Sequence, residues 1–257
     1  MSFKQLIHTS NICRNIFPSF ELLDEWKSKR ENLILYLQDI PVLTGEYKNS
    51  EKQTYKYNES ITIIDSIPTL RLSSACEGAS NCLYSMAELA AQFANKVTNG
   101  AYPISFNAIR KNIEKGKYTD SELESWISDL EWYKKIREIR TELTHHSSIF
   151  IGQKDEEPIL LIKCHRRWSE REEFKEKIEV TIPELLSWID NAMAILENFG
   201  SYLLVTYILP KLPLDDEIPR TKKDKNRWPI FTEDKRFIIE NVTIREHLLE
   251  CGIEFKH

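Results

Sequence analysis

The sequence predicts a mainly α-helical protein, an up-and-down bundle of four long helices with an inserted β-hairpin and an extended C-terminal tail. Apolar residues recur at helical spacing over four long stretches, which is the pattern of helices with one buried stripe. Only 7 of the 257 residues are Gly, too few for a multi-turn all-β architecture or Gly-rich phosphate loops. One segment, residues 148–164, changes period and reads as two strands around a polar turn.

The first helix starts at Ser19, an N-cap after Pro18, and carries Phe20, Leu23, Trp26, Leu33 and Leu37 to about Gln38. Pro41 and Gly45 are expected to break it. Residues 46–68 read as an irregular segment ending in one strand around Ile61 and Ile63, stopped by Pro68. The second and longest helix runs from Thr69 to about Thr98. Its stripe is Leu70, Leu72, Ala75, Ala79, Leu83, Met86, Leu89, Ala90 and Phe93, and Asn99-Gly100 ends it. A short helix from Ser105 to Lys115 closes at Gly116.

Thr119 or Ser121 caps the third long helix, with Asp120, Glu122 and Glu124 at its positive end. Leu123, Trp126, Ile127, Leu130, Tyr133, Ile136, Ile139 and Leu143 form its stripe to an end near His145 or His146. The hairpin follows, then a charged tract from His165 to Lys177. Thr181-Ile-Pro-Glu184 is a capping box opening the fourth helix, which runs to about Leu209. Residues 1–209 thus form the helical domain. Residues 210–257 form the tail, with Pro210, Pro213 and Pro219, a basic tract from Arg220 to Trp228, and a short helix from Thr243 to Cys251 packing on the same domain.

The net charge of -5 gives no global basic field, so any nucleic-acid site has to be local. Five scattered cysteines without a C-x-x-C pair argue against a disulfide framework and a zinc site, and reduced thiols point to the cytoplasm. No apolar run reaches about 18 residues, so no membrane span is expected. No metal or other cofactor is implied.

Chemistry concentrates at Arg137-Glu-Ile-Arg140-Thr141-Glu-Leu-Thr-His145-His146. Arg is a permanent cation whose planar fork suits phosphate, and His is readily poised as an acid or base near neutral pH. Five residues turn an ideal helix by about 140°, so Arg140 and His145 converge only if the helix ends between them. Thr144, His145, His146, Ser147 and Ser148 are poor helix formers and fit such an ending. Basic residues at a helix C-terminus also simply complement its dipole.

An Arg, four residues and a His at the end of the third long helix resembles the HEPN superfamily. The phrase Ile139-Arg140-Thr141-Glu-Leu-Thr-His145-His146 carries the resemblance, which extends over about residues 18–209. It implies a helical bundle that dimerises and brings two motifs into one cleft. It also implies a metal-independent endoribonuclease, as in toxin–antitoxin or phage-defence systems. Arg140 would stabilise the phosphate and His145 would act as general base or acid, with Arg137, Thr141, His146 and Glu77 in support. RNA is then the substrate, with an antitoxin or defence protein as partner. The family usually has Asn, Asp or His after the arginine, and here Thr141 stands there. The alternatives are a non-catalytic HEPN-type partner that dimerises or binds nucleotides, and an unrelated helical scaffold.

Glu77 and Glu88 lie on the helix that could face the motif, where a carboxylate would orient His145. His165-Arg166-Arg167-Trp168 and Lys222 to Trp228 combine cations with an aromatic, as single-strand RNA contacts do, and also suit a solvated loop. Asp215-Asp216-Glu217 reads as loop solvation.

Overall fold

The computed structural model describes residues 21–49, 53–56, 62–118, 130–145, 149–155, 157–164, 176–221 and 239–250. It is mainly helical, with a five-stranded antiparallel sheet where the sequence pointed to one hairpin and one separate strand.

Helix α1 spans Glu21–Asn49 and runs straight through the expected break, with Pro41 inside it. Pro41 costs a backbone hydrogen bond. The cost is met by burial, since Ile40, Leu43 and Tyr47 continue the stripe of Leu23, Trp26 and Leu33 into the core. The Thr44 hydroxyl donates to the Ile40 carbonyl at 2.7 Å within the same turn.

Strands β1 (Gln53–Lys56) and β2 (Thr62–Asp65) pair with each other, so the region expected to hold one strand holds two. Pro68 begins helix α2 (Ile67–Val97) and does not merely stop a strand. Ser66 is the N-cap, accepting from the Thr69 backbone N–H at 3.3 Å. Proline in the first turn loses only a donor that a helix start leaves free. Asn99 and Gly100, both at positive φ, follow the end of α2.

Helix α3 is Phe106–Glu114, and Gly116 turns away at φ +60. Helix α4 is Glu131–His145. The expected caps Ser19, Thr119 and Ser121, and the stripe residues Leu123, Trp126 and Ile127, lie outside the described residues.

The hairpin is β3 (Ile149–Lys154) and β4 (Glu157–Cys164), with Asp155 at positive φ in its turn. It is the middle of a sheet ordered β1-β2-β3-β4-β5. Strand β2 joins β3 through Thr62 opposite Gln153 and Ile63 opposite Gly152. Strand β5, Glu176–Thr181, lies along β4 and occupies the end of the expected charged tract. Its alternation is real, with Val180 buried beside exposed Glu179. Strand β3 rests against α2.

Helix α5 is Ile182–Leu203, and the capping box is present. Thr181 accepts from the Glu184 backbone at 3.2 Å, and the Glu184 carboxylate accepts from the Thr181 backbone N–H at 2.8 Å. The helix continues as a π-helical turn, Leu204–Ile208, and a 3-10 turn ending at Lys211. Over Ile182–Lys211 it is long and apolar enough to cross a membrane, contrary to expectation, but more than half of its most apolar window is buried in the fold.

The described residues of the tail form regular structure. Strands β6 (Glu217–Thr221) and β7 (Ile239–Thr243) form an antiparallel ribbon, and helix α6 (Ile244–Glu250) follows. Thr243 and Glu246 make a second capping box, with bonds of 2.8 and 3.1 Å to the backbone. Ile244 and Leu248 enter one continuous core with residues of α1 to α5 and the sheet.

Candidate functional site

Helix α2 is the spine of the molecule, and its two flanks differ. On one, α1 packs antiparallel, as the Tyr36–Gly78 and Glu46–Arg71 contacts show. On the other, α4 packs antiparallel, as Tyr133 meets Glu88 while Arg140, two turns later, meets Tyr84. The end of α4 therefore lies toward the stretch of α2 that carries Asn81 and Glu77.

The α2–α4 contact is built from polar aromatics. The Arg140 guanidinium carbon lies 4.3 Å from the centre of the Tyr84 ring. The Tyr84 and Tyr133 rings are stacked, 5.9 Å apart and 18° from parallel. The Tyr133 hydroxyl donates to Glu88 Oε1 at 2.5 Å. Tyr133 is fully buried and its ring centre is 4.9 Å from that of Phe106 on α3. Burial pushes the Tyr133 phenol well above its usual range, and the Glu88 carboxylate and neighbouring Tyr84 push it the same way. Tyr133 is thus a neutral donor at any physiological pH, and Arg140 is half-buried at the edge of this cluster.

Thr141 is exposed, and its hydroxyl donates to the Arg137 carbonyl at 2.8 Å, one turn back on the same helix. Threonine and serine commonly satisfy themselves in this way inside helices. Arg137 is exposed. Glu77 is half-buried on α2, two turns before Tyr84 and on the same side.

Helix α4 extends unbroken through both Arg140 and His145. The expected break between them is absent, because helical backbone continues through Thr141, Glu142, Leu143 and Thr144 despite their mixed propensity. The two positions of one chain are therefore turned about 140° apart. The side chain of His145 and all of His146 lie outside the described residues, as do the basic tracts at 165–168 and 222–228.

No family model matches the sequence, and no curated protein or solved structure is significantly similar to it.

Sequence reasoning passed over Tyr84 and Tyr133. Tyr133 falls on the apolar stripe and is core, and Tyr84 stands in no motif. A usable signal existed: Tyr84 and Glu88 are four apart on the face of α2 that also carries Glu77. Elsewhere, Asp215 is 3.4 Å from Arg245 Nη2, and the Asp216 carbonyl accepts from the Ile244 backbone N–H. The acidic loop thus ties down the start of α6. Among the described residues, no group of three or more His, Cys, Asp or Glu gathers as a metal site would require.

An open groove of about 380 Å³ lies between α1 and α2, lined by Tyr36, Asp39, Leu43, Leu70 and Arg71 among others. Arg71 is held by Glu46 at 2.8 Å. Exposed Leu35, Val42, Ile67 and Leu70 lie on the same two helices.

Proposed function

We propose that the chain is a HEPN-like, metal-independent endoribonuclease that works as a cytoplasmic homodimer in a toxin–antitoxin or phage-defence setting. The observation that carries this reading is Arg140 over the Tyr84 ring, five residues before the His145 that ends α4. A cation held by a ring face keeps its N–H donors available for phosphate oxygens.

The 140° turn between the two positions favours a site shared by two chains. Arg140 of one chain would meet His145 of the partner subunit. The RNA 2′-oxygen attacks phosphorus, the bond to the 5′-oxygen breaks, and a 2′,3′-cyclic phosphate forms. His145 takes the 2′-hydroxyl proton or protonates the leaving 5′-oxygen. Arg140 neutralises the charge on the pentacoordinate phosphate, a role whose loss costs about 10²–10³ in rate in comparable sites.

The test is cleavage of structured and single-stranded RNAs in EDTA by wild type, Arg140→Ala and His145→Ala. Wild type should cut, and each variant should lose at least about a hundredfold. Mixing the two inactive variants should restore activity, since a mixed dimer regains one complete site. Wild type and variants equally inert, or equally active, would sink the assignment.

One observation favours a second reading, a non-catalytic HEPN-type partner that dimerises or binds nucleotides. Thr141 replaces the family's usual Asn, Asp or His, and its hydroxyl is engaged with the Arg137 carbonyl.

A further inference from the structure

Of the two arginines in the motif, only Arg140 has an aromatic ring beneath it among the described residues. Arg137, one turn earlier, is exposed. An arginine carries about 2 kcal/mol of rotamer entropy, so an unsupported one is a poor fixed cation. Arg140 instead rests 4.3 Å above Tyr84.

Tyr84 in turn is not free to turn away. Its ring is stacked with that of Tyr133. Tyr133 is locked by full burial, by Phe106 at 4.9 Å and by its hydrogen bond to Glu88. The constraint passes from the core outward in one line, from Phe106 and Glu88 to Tyr133, then Tyr84, then Arg140. The last contact uses the π-face of the ring, so the guanidinium keeps its charge and its in-plane donors. A carboxylate holding Arg140 would have taken both.

We propose that Tyr84 is a positioning residue, an aromatic shelf that fixes the Arg140 guanidinium where the phosphate is to be met. Its consequence for catalysis rests on the endonuclease reading, but the shelf itself is a property of the folded chain.

The test compares Tyr84→Phe, Tyr84→Leu and Glu88→Gln with wild type by two readouts. The first is the NMR shift of the Arg140 side-chain protons, assigned by their disappearance in Arg140→Lys. A ring below displaces them upfield, in wild type and Tyr84→Phe alike, and Tyr84→Leu should abolish the displacement. The second is RNA cleavage in EDTA. Tyr84→Leu should lower kcat about tenfold or more with KM little changed, because misplacement acts on the reacting geometry. Tyr84→Phe should restore the wild-type rate, and Glu88→Gln should fall between.

The proposal is overturned if the Arg140 shifts are the same in Tyr84→Leu as in wild type. It is equally overturned if Tyr84→Leu cuts like wild type while Arg140→Ala is inactive. Should wild type itself cut no RNA, the endonuclease reading fails, and the proton shifts alone decide whether Tyr84 holds Arg140.

Discussion

The two flanks of α2 are made from different chemistry. Against α1, the buried part of the contact is close-packed, with the Tyr36 ring lying where a Cβ on Gly78 would be, and its polar pair Glu46–Arg71 lies exposed at the rim. Against α4, it is a stack of hydroxylated rings edged by a carboxylate and a guanidinium. The first flank fits shape to shape and gains from every methylene removed from water. The second buries polar atoms that have to find each other. A helix of 31 residues can thus devote one side to stability and the other to presenting a charge.

The largest expected effect is alkaline unfolding. Burial raises the Tyr47 phenol on the α1 flank to about 12, with Glu157 adding to it, and raises the Cys76 thiol to about 12. A raised folded pKa means the contribution to stability is complete below the unfolded value and fades as pH rises through the folded one. The fold should therefore hold up to about pH 9 and lose stability between roughly 9 and 12, first through Cys76 and then through Tyr47 as well. Tyr133 is raised further still, so Tyr47 should ionise before Tyr133, which should ionise only on unfolding. Early titration of both tyrosines would erase the difference that the Glu88 carboxylate makes on the α4 flank.

Next is Gly78→Leu, whose Cβ alone would lie 2.7 Å from the Tyr36 Cε atoms. It should cost about 2–3 kcal/mol as a shift in urea midpoint, the scale of overpacking. Adding Tyr36→Ala should recover part of the loss, and strict additivity would show that the two do not touch. Tyr133→Phe should cost about 1.5 kcal/mol, since it deletes a buried donor to a carboxylate. Arg140→Ala should cost under about 1 kcal/mol, the value of a partly exposed cation–π contact. A stability loss above that would make Arg140 a structural residue, and any fall in cleavage would then say little about chemistry.

Where burial and caps agree with local propensity, the sequence was easily read. Thr181 and Glu184 announced α5, and Asn99-Gly100 marked the end of α2. Where tertiary burial overrules a local rule, reading failed. Pro41 was a breaker by its ring, yet Ile40, Leu43 and Tyr47 hold the helix through it. Strand β5 hid because its Lys and Glu residues mask a two-residue alternation. The strand at Ile63 was legible, but the pairing of β2 with β3, far along the chain, is one that no window reveals. The stripe positions Leu130, just before α4, and Tyr133, Ile136 and Ile139 within it were legible, and all four are buried. The Arg140–Tyr84 contact was not legible, because it exists only when two helices distant in sequence meet.

The junction of β2 with β3 rests on two residue pairs, Thr62 with Gln153 and Ile63 with Gly152. Each hairpin beside it can form locally, within its own few residues. The junction cannot, because α2, α3 and α4 intervene and the loop has to close first. Closure of the sheet is therefore a late folding event, gated by docking of α4 on α2. In pulse-labelling hydrogen exchange, the amides of Ile63 and Gly152 should gain protection after those of α2, so the sheet seam dates the moment at which the Arg140 shelf is assembled.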